Sequence, residues 1–204
     1  MDTSFLNEIV GTSIKIYALM TPPAVLSAFL SGTKEYSARR KRLTAFKTSL
    51  AIFLLGLTLF LFGEYVFTLF DFTLDAFRIG SGVLLLLTGI TLMNDREKQD
   101  AQPNPDEDIS VVPLAIPLGM GPASIGAVMV MGASAQGSHE ILIGIISLLL
   151  AALGIFALLV LADVVARVLQ KTGIAVLAKL TGLLLAAIAA QVIFTGIQGF
   201  FSGH

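Results

Sequence analysis

The 204-residue chain contains no cysteine and no tryptophan, and it has only two histidines. The lack of cysteine excludes a disulfide framework, a thiol nucleophile and a thiolate metal site. Charged residues make up 13% of the chain, about half of the roughly 25% that is usual in soluble domains. With 55% hydrophobic residues, this composition argues against a soluble protein, and the net charge of -1 gives no indication of a nucleic-acid partner.

Several long stretches contain no Lys, Arg, Asp or Glu. A helix rises about 1.5 Å per residue, so roughly 20 apolar residues cross a hydrocarbon core of about 30 Å. The stretches therefore predict an all-α polytopic membrane protein with six transmembrane helices. We expect these helices near residues 8–30, 43–63, 74–94, 109–132, 141–163 and 174–200.

The two halves of the chain share landmarks at an offset near 100. In the same order along each half, the matched pairs are Pro22 with Pro122, Glu64 with Asp163, and Arg78 with Lys179. Three helices per half is an odd number, so the second half would enter the membrane upside down. The sequence thus predicts two inverted three-helix repeats, residues 1–94 and 109–204, joined by the polar, proline-containing linker 95–108.

The positive charges predict how the protein lies in the membrane. Eleven of the 13 Lys and Arg residues fall in or near three connections, 34–47, 95–108 and 163–179, which share one side of a six-span protein. Positively charged loops stay in the cytoplasm. We therefore expect a cytoplasmic linker and both termini outside, and we interpret the basic stretch as a topology signal rather than a nucleic-acid site.

The predicted first and fourth helices are interrupted by proline and glycine, at Leu19–Pro23 and at Pro117–Pro122. Matched breaks in inverted halves indicate a substrate site, with helix N-termini facing an anion and helix C-termini facing a cation. Because no charged side chain lies nearby, a small zwitterion fits best. Packing kinks are the alternative, and Gln191 could instead bond to a neighbouring helix. The candidate substrate residues are Thr21, Pro22, Pro23, Ser27, Gly119, Gly121, Pro122, Ser124 and Gln191.

Two acid–base pairs are candidate gates. The repeat puts Glu64 and Arg78 near the outer face, and Asp163 and Lys179 near the inner face. Such pairs would open and close alternately. The alternative is that these side chains are static ion pairs, or that they extend to the membrane surface among the lipid headgroups.

Small residues spaced four apart predict close packing of the third and sixth helices. The series are Ala76/Gly80 and Gly182/Ala186/Ala190. There is no His-Glu-x-x-His motif and no Ser/His dyad, so we do not expect an enzyme. No cofactor is expected beyond a coupling proton or sodium ion, and the sequence leaves self-association into a homo-oligomer open.

Several motifs carry a family resemblance: Thr21–Pro22, Phe29–Ser31, Lys34–Arg40, Phe77–Gly82, Pro113–Pro117, Gly121–Pro122 and Leu180–Ala189. Through them the chain resembles the MarC (UPF0056) family of bacterial inner-membrane proteins, in the LysE-like exporter superfamily. The resemblance implies six spans, and transport of small neutral amino acids driven by a cation gradient. Three positions depart from the family pattern: Thr21 replaces the usual Asn or Asp, Ser27 a common proline, and Ala123 the usual glycine.

These features together predict a secondary transporter of small neutral amino acids or similar metabolites, by alternating access. The alternative is a membrane binding or regulatory protein of the same family that does not transport. The exact substrate, the direction of transport and the coupling ion do not follow from the sequence.

Overall fold

The computed structural model describes residues 3–71, 73–94 and 109–202, and the regular elements in these ranges are all helices. The predicted all-α class is thereby confirmed for the described residues, whereas the linker 95–108 lies outside them. In chain order the elements are α1 Thr3–Leu19, α2 Pro22–Gly32, α3 Ala38–Phe70, α4 Leu74–Met93, a π-helix Ser110–Gly119, α5 Pro122–Ser134, α6 Ser138–Val160 and α7 Ala162–Ser202.

Four helical segments are long and apolar enough to cross a membrane: Ala38–Gly63, Leu74–Met93, Ser138–Val160 and Thr172–Phe201. The pair Phe5–Leu19 and Pro22–Gly32, bent by 51°, can form a fifth span. The described residues therefore contain four to five candidate spans, against the six that the sequence predicts.

The predicted span 109–132 accounts for the difference. It is divided into a π-helix of 10 residues and an α-helix of 13 residues. Each piece is shorter than the roughly 20 residues that a membrane-spanning helix needs. The chain leaves the helical conformation at Met120 and Gly121, so the two pieces do not form one continuous helix.

Helices α4 and α7 pack against each other antiparallel and at very close range. A Cβ built on Gly89 would lie 2.7 Å from the Gly182 carbonyl oxygen, and one on Gly182 would lie 2.6 Å from that of Gly89. About two turns closer to the start of α4, Gly82 faces Ile193 of α7. The predicted close packing is therefore present, but on α4 the glycines that make it are Gly82 and Gly89. Gly80 is exposed with no atom within 4 Å of its Cβ position, because it lies on another face of α4.

The remaining helices enclose the midpoint of the molecule. Helix α1 packs on α6, α5 lies between α3 and α4, and α2 packs on α7. The largest fully buried side chains include Phe29, Met20, Ile52, Met120 and Leu148. The core is thus centred on the region where both breaks lie.

The charges differ between the two ends of the bundle. At one end, here called the basic end, α3 begins within the cationic stretch 34–42, and Lys41 contacts Asp163 near the start of α7. At the other, the acidic end, lie the carboxylates of Glu8, Asp75 and Glu140. The two ends are therefore distinct in electrostatic character.

Candidate functional site

The first break lies between α1 and α2. Helix α1 ends at Leu19, and Thr21 precedes α2 with a left-handed backbone conformation, φ 45° and ψ 59°. This conformation is unusual for a β-branched residue and costs about 1–3 kcal/mol. Pro22 and Pro23 then start α2, where proline is tolerated because the first helical N–H groups have no intrahelical acceptor. The strained residue Thr21 thus lies between the end of α1 and the two prolines that start α2.

The second break lies between the π-helix and α5. Pro113 and Pro117 lack the N–H groups that a regular α-helix would use, and Leu114 and Met120 instead donate to carbonyls five residues earlier, at 3.2 and 2.7 Å. Pro122 starts α5 after the extended Gly121. Prolines thus explain both the unusual helix and its end.

Hydrogen bonds between side-chain hydroxyls and main-chain carbonyls join the two breaks. Thr21 Oγ1 donates to the Leu118 carbonyl oxygen at 3.0 Å, and Ser124 Oγ donates to the Leu19 carbonyl oxygen at 2.5 Å. Carbonyls at a helix end lack an intrahelical partner and need one in an apolar environment. Each half of the chain therefore satisfies the helix end of the other half.

The start of α2 offers an anion no main-chain donor, contrary to the sequence prediction. Pro22 and Pro23 carry no N–H, and the N–H groups of Ala24 and Val25 both donate to the Thr21 carbonyl, at 3.0 and 3.2 Å. The physical reason is the double proline, which removes the first two donors of the helix. Thr21 itself can contribute only its hydroxyl.

The start of α5 differs from that of α2. Only its first residue, Pro122, is a proline, so the next two residues, Ala123 and Ser124, retain their N–H groups. Within the described part of the chain neither group has a main-chain acceptor, and both residues are buried. Helix N-termini favour anions, so this end is the better anion site of the two.

The predicted substrate residues divide into buried and exposed members. Gly119 is buried with Thr21, Pro22, Pro23 and Ser124. Ser27 and Gly121 are half-buried, and Gln191 is exposed on α7. The side chain of Pro122 lies outside the described part of the structure. The structure thus brings the break residues together and leaves Gln191 apart from that buried group.

Two further hydroxyl–carbonyl bonds were not foreseen from the sequence. Thr48 Oγ1 in α3 donates to the Ser110 carbonyl at 2.9 Å, and Ser147 Oγ in α6 donates to the Ile9 carbonyl at 3.2 Å. The donors are 99 residues apart and the acceptors 101, close to the offset near 100 of the sequence landmarks. Each bond joins one half of the chain to the other, and only an inspection of buried hydroxyls about 100 residues apart could have indicated the two bonds.

Arg78, a gate candidate at the acidic end, has partners that the sequence did not identify. Arg78 Nη1 lies 2.7 Å from Asp75 Oδ1, and its Nη2 donates to Ser134 Oγ at 2.9 Å. The side chain of Glu64, the predicted partner, is not among the described ones. The spacing of three residues between Asp75 and Arg78 on one helix was the signal that could have identified this pair.

At the basic end, Asp163 contacts a residue from the cationic stretch. Lys41 Nζ lies 2.8 and 3.0 Å from its two carboxylate oxygens. The predicted partner, Lys179, lies on the other side of an interruption of α7 at Gln170, where φ is 54° and ψ is -176°. The ion pair therefore joins the start of α3 to the start of α7.

The described side chains form no cluster with the composition of a metal site. Among them, no three His, Asp or Glu side chains come close enough together to hold a metal ion. The chemistry available at the breaks is accordingly that of hydroxyls, carbonyls and main-chain N–H groups.

Comparison with known proteins places this chain among membrane proteins. The family described as MarC family integral membrane protein matches residues 6–201. Similar proteins include the UPF0056 membrane protein YhcE of Escherichia coli, 32% identical over 93% of this chain and 92% of its own length. The UPF0056 membrane protein MJ1677 of Methanocaldococcus jannaschii is 35% identical, over 90% and 93% respectively. No solved structure matches.

Proposed function

The chain belongs to the MarC family of integral membrane proteins, and on that premise we propose that it is a secondary transporter of small neutral amino acids or similar metabolites. The observation that carries the proposal is the meeting of the two helix breaks. Broken helices in matched positions are typical of transporter substrate sites. Here the breaks are joined through Thr21 and Ser124, at the centre of the buried core.

An inverted repeat of residues 1–94 and 109–204 is part of the proposal. It is supported by the antiparallel crossing of α4 and α7, which are the third helices of the two halves. The matched bonds from Thr48 and Ser147 also support it, because they repeat at the sequence offset. On this basis the divided segment from Ser110 to Ser134 corresponds to α1 and α2, which makes six passes through the membrane.

The binding of a zwitterion would replace the hydrogen bonds that now join the breaks. Its carboxylate would accept from the N–H groups of Ala123 and Ser124 and from the Ser124 hydroxyl. Its ammonium group would donate to the Leu19 and Leu118 carbonyls, which the hydroxyls release. The two released carbonyls and the Ser124 hydroxyl would thereby each regain a hydrogen-bond partner. A coupling proton or sodium ion is part of the proposal but has no assigned residue.

Counterflow in liposomes tests the proposal. We expect the purified protein to exchange labelled glycine, alanine or serine, and Ser124→Ala to reduce the rate at least about tenfold through loss of one charge-assisted hydrogen bond. Ser147→Ala is the matched control, since it removes a buried hydroxyl–carbonyl bond away from the breaks. Absence of exchange across a broad amino-acid panel would instead favour the non-transporting alternative.

We also propose that the basic end faces the cytoplasm and the acidic end faces outward, in the inner membrane of a bacterium. The support is the excess of cations at the basic end. The chain has no cysteine, so Asn7→Cys, at an exposed site of the acidic end, provides a single label. We expect an impermeant maleimide to react with it in intact cells. If the maleimide reacted only after the cells were lysed, the protein would have the opposite orientation to the one proposed.

A further inference from the structure

An open cleft of about 290 Å³ lies at the acidic end. It is enclosed by α1, α3, α5 and α6, and residues from all four helices line it. Its size is at the lower limit of small-molecule pockets. A cleft of this size can hold a small metabolite.

The walls of the cleft are polar near the rim and apolar below. Glu8 and Glu140 lie at the rim, with the hydroxyls of Thr12 and Ser134. The nearby Arg78 is paired with Asp75, so its charge is largely neutralised. The described residues that line the cleft include the Glu8 and Glu140 carboxylates and no Lys or Arg, so the lining favours a small molecule with an ammonium group.

Phe60 of α3 lines the bottom of the cleft and is 5% exposed. Its ring lies directly against Gly144 of α6, where even a Cβ atom would overlap the ring carbons. One turn deeper, Leu148 of α6 packs over Gly56 of α3, 2.9 Å from the position of a Cβ. Each helix thus places a large side chain on a glycine of the other, in two consecutive layers.

These layers separate the cleft from the helix breaks. Closer to the N-terminus of α3, Ile52 packs against Gly119, which lies immediately before the second break. Phe60 and Ile52 are eight residues apart, about 12 Å along a helix. Phe60, Leu148 and Ile52 are all buried. The closed layer between the cleft and the breaks is therefore about two helical turns thick.

We propose that the cleft is the substrate entrance at the acidic end, and that the Phe60 ring resting on Gly144 is the barrier between this entrance and the break site. Opening requires the ring to turn away from Gly144, with Leu148 following. Because Gly144 has no side chain that interlocks with the ring, the free-energy cost of turning the ring is lowered at that position. The inference rests on the proposed transport function and adds the residue that controls access.

The corresponding positions in the other half are Leu159 and Ala45, at the same offset of 99 residues. Both are buried at the basic end. The combination of Phe with Gly at the acidic end is thus replaced by Leu and Ala at the corresponding positions of the basic end. Phe60 is accordingly the position at which entry from the acidic end is controlled.

Cysteine accessibility tests the barrier directly, because the chain has no cysteine of its own. Val128→Cys places a thiol on α5 at a buried position, 1% exposed, that does not line the cleft. A small impermeant methanethiosulfonate should react with it slowly. With Phe60→Ala added, we expect a rate increase of about tenfold or more, since truncating a buried Phe removes much of the packing that holds the layer closed.

Two further variants control the experiment. Gly144→Ala acts from the opposite side of the contact, because its Cβ displaces the ring, and it should also accelerate the reaction. Phe156→Ala removes an aromatic ring that pairs with Phe46 elsewhere, and it should leave the rate at Val128→Cys unchanged. Thr12→Cys on the cleft wall should react at a similar rate in every background.

The outcomes separate this inference from the proposed function. Two results would overturn the proposed barrier even if the protein transports amino acids. One is an equal rate of thiol modification at Val128→Cys with and without Phe60→Ala. The other is an equal acceleration of that reaction by Phe156→Ala. Acceleration by Phe60→Ala and Gly144→Ala alone would support the barrier, and it would do so even if counterflow failed. In a transporting protein, Phe60→Ala should also admit larger substrates, such as leucine, in the counterflow assay.

Discussion

Thr21 has to satisfy two requirements at once. Its backbone occupies the left-handed region, and its hydroxyl bonds to the Leu118 carbonyl. Asn and Asp adopt this backbone conformation more readily than Thr does. Asn or Asp, which the resemblance to the MarC family leads us to expect at this position, would therefore adopt the conformation with less strain. Thr21 retains the hydrogen bond and accepts the strain.

Substitutions at Thr21 should separate the two contributions. Thr21→Asn relieves strain and still offers an N–H donor, so we expect greater stability by up to about 1 kcal/mol. Thr21→Val retains the β-branch but leaves the Leu118 carbonyl without its partner, which should cost about 1–3 kcal/mol. Circular dichroism at 222 nm during heating in detergent measures both. A lower melting temperature for Thr21→Asn than for Thr21→Val would contradict this interpretation.

At the scale of elements, the sequence reveals which helices are interrupted but not how each continues. Pro22 and Pro122 both mark a helix start. The segment before Pro122, however, is a π-helix, and no hydrophobic pattern distinguishes that from an α-helix. Likewise, small residues indicated a close crossing of α4 and α7, but only the packing selected Gly82 and Gly89 over Ala76 and Gly80.

The α4–α7 crossing provides a matched test within one helix. Gly89→Ala places a methyl group 2.7 Å from the Gly182 carbonyl oxygen, so we expect a loss of about 1–3 kcal/mol through overpacking. Gly80→Ala meets no neighbouring atom and should be neutral or slightly stabilising, because Ala favours helix. The melting temperatures of the two variants are compared by circular dichroism at 222 nm during heating in detergent. Equal melting temperatures for the two variants would be inconsistent with the observed crossing.

At the scale of the whole molecule, ion pairs lie at opposite ends of the bundle. Arg78 joins α4 to the end of α5, and Lys41 joins α3 to the start of α7. The Lys41–Asp163 pair is partly exposed, so its contribution to stability is under about 1 kcal/mol. Its relevance to a transporter is that it connects helices that would separate when the basic end opens.

The pair at the basic end should therefore affect transport more than stability. We expect Asp163→Asn to change the counterflow rate several-fold with a shift in melting temperature close to zero, since exposed ion pairs stabilise little. The double charge reversal, Lys41→Asp with Asp163→Lys, should restore part of the rate. Unchanged counterflow in Asp163→Asn would identify the pair as a static surface contact.

The sequence by itself determined the membrane class, the all-helical fold and the positions of both helix breaks. It could do so because hydrophobic length, charge scarcity and proline act locally along the chain. Tertiary structure alone decided which groups meet. The bonds from Thr21 to Leu118, from Ser124 to Leu19 and from Lys41 to Asp163 join residues about 100 or more positions apart. Such contacts depend on how the helices cross, and a local pattern contains no information about that.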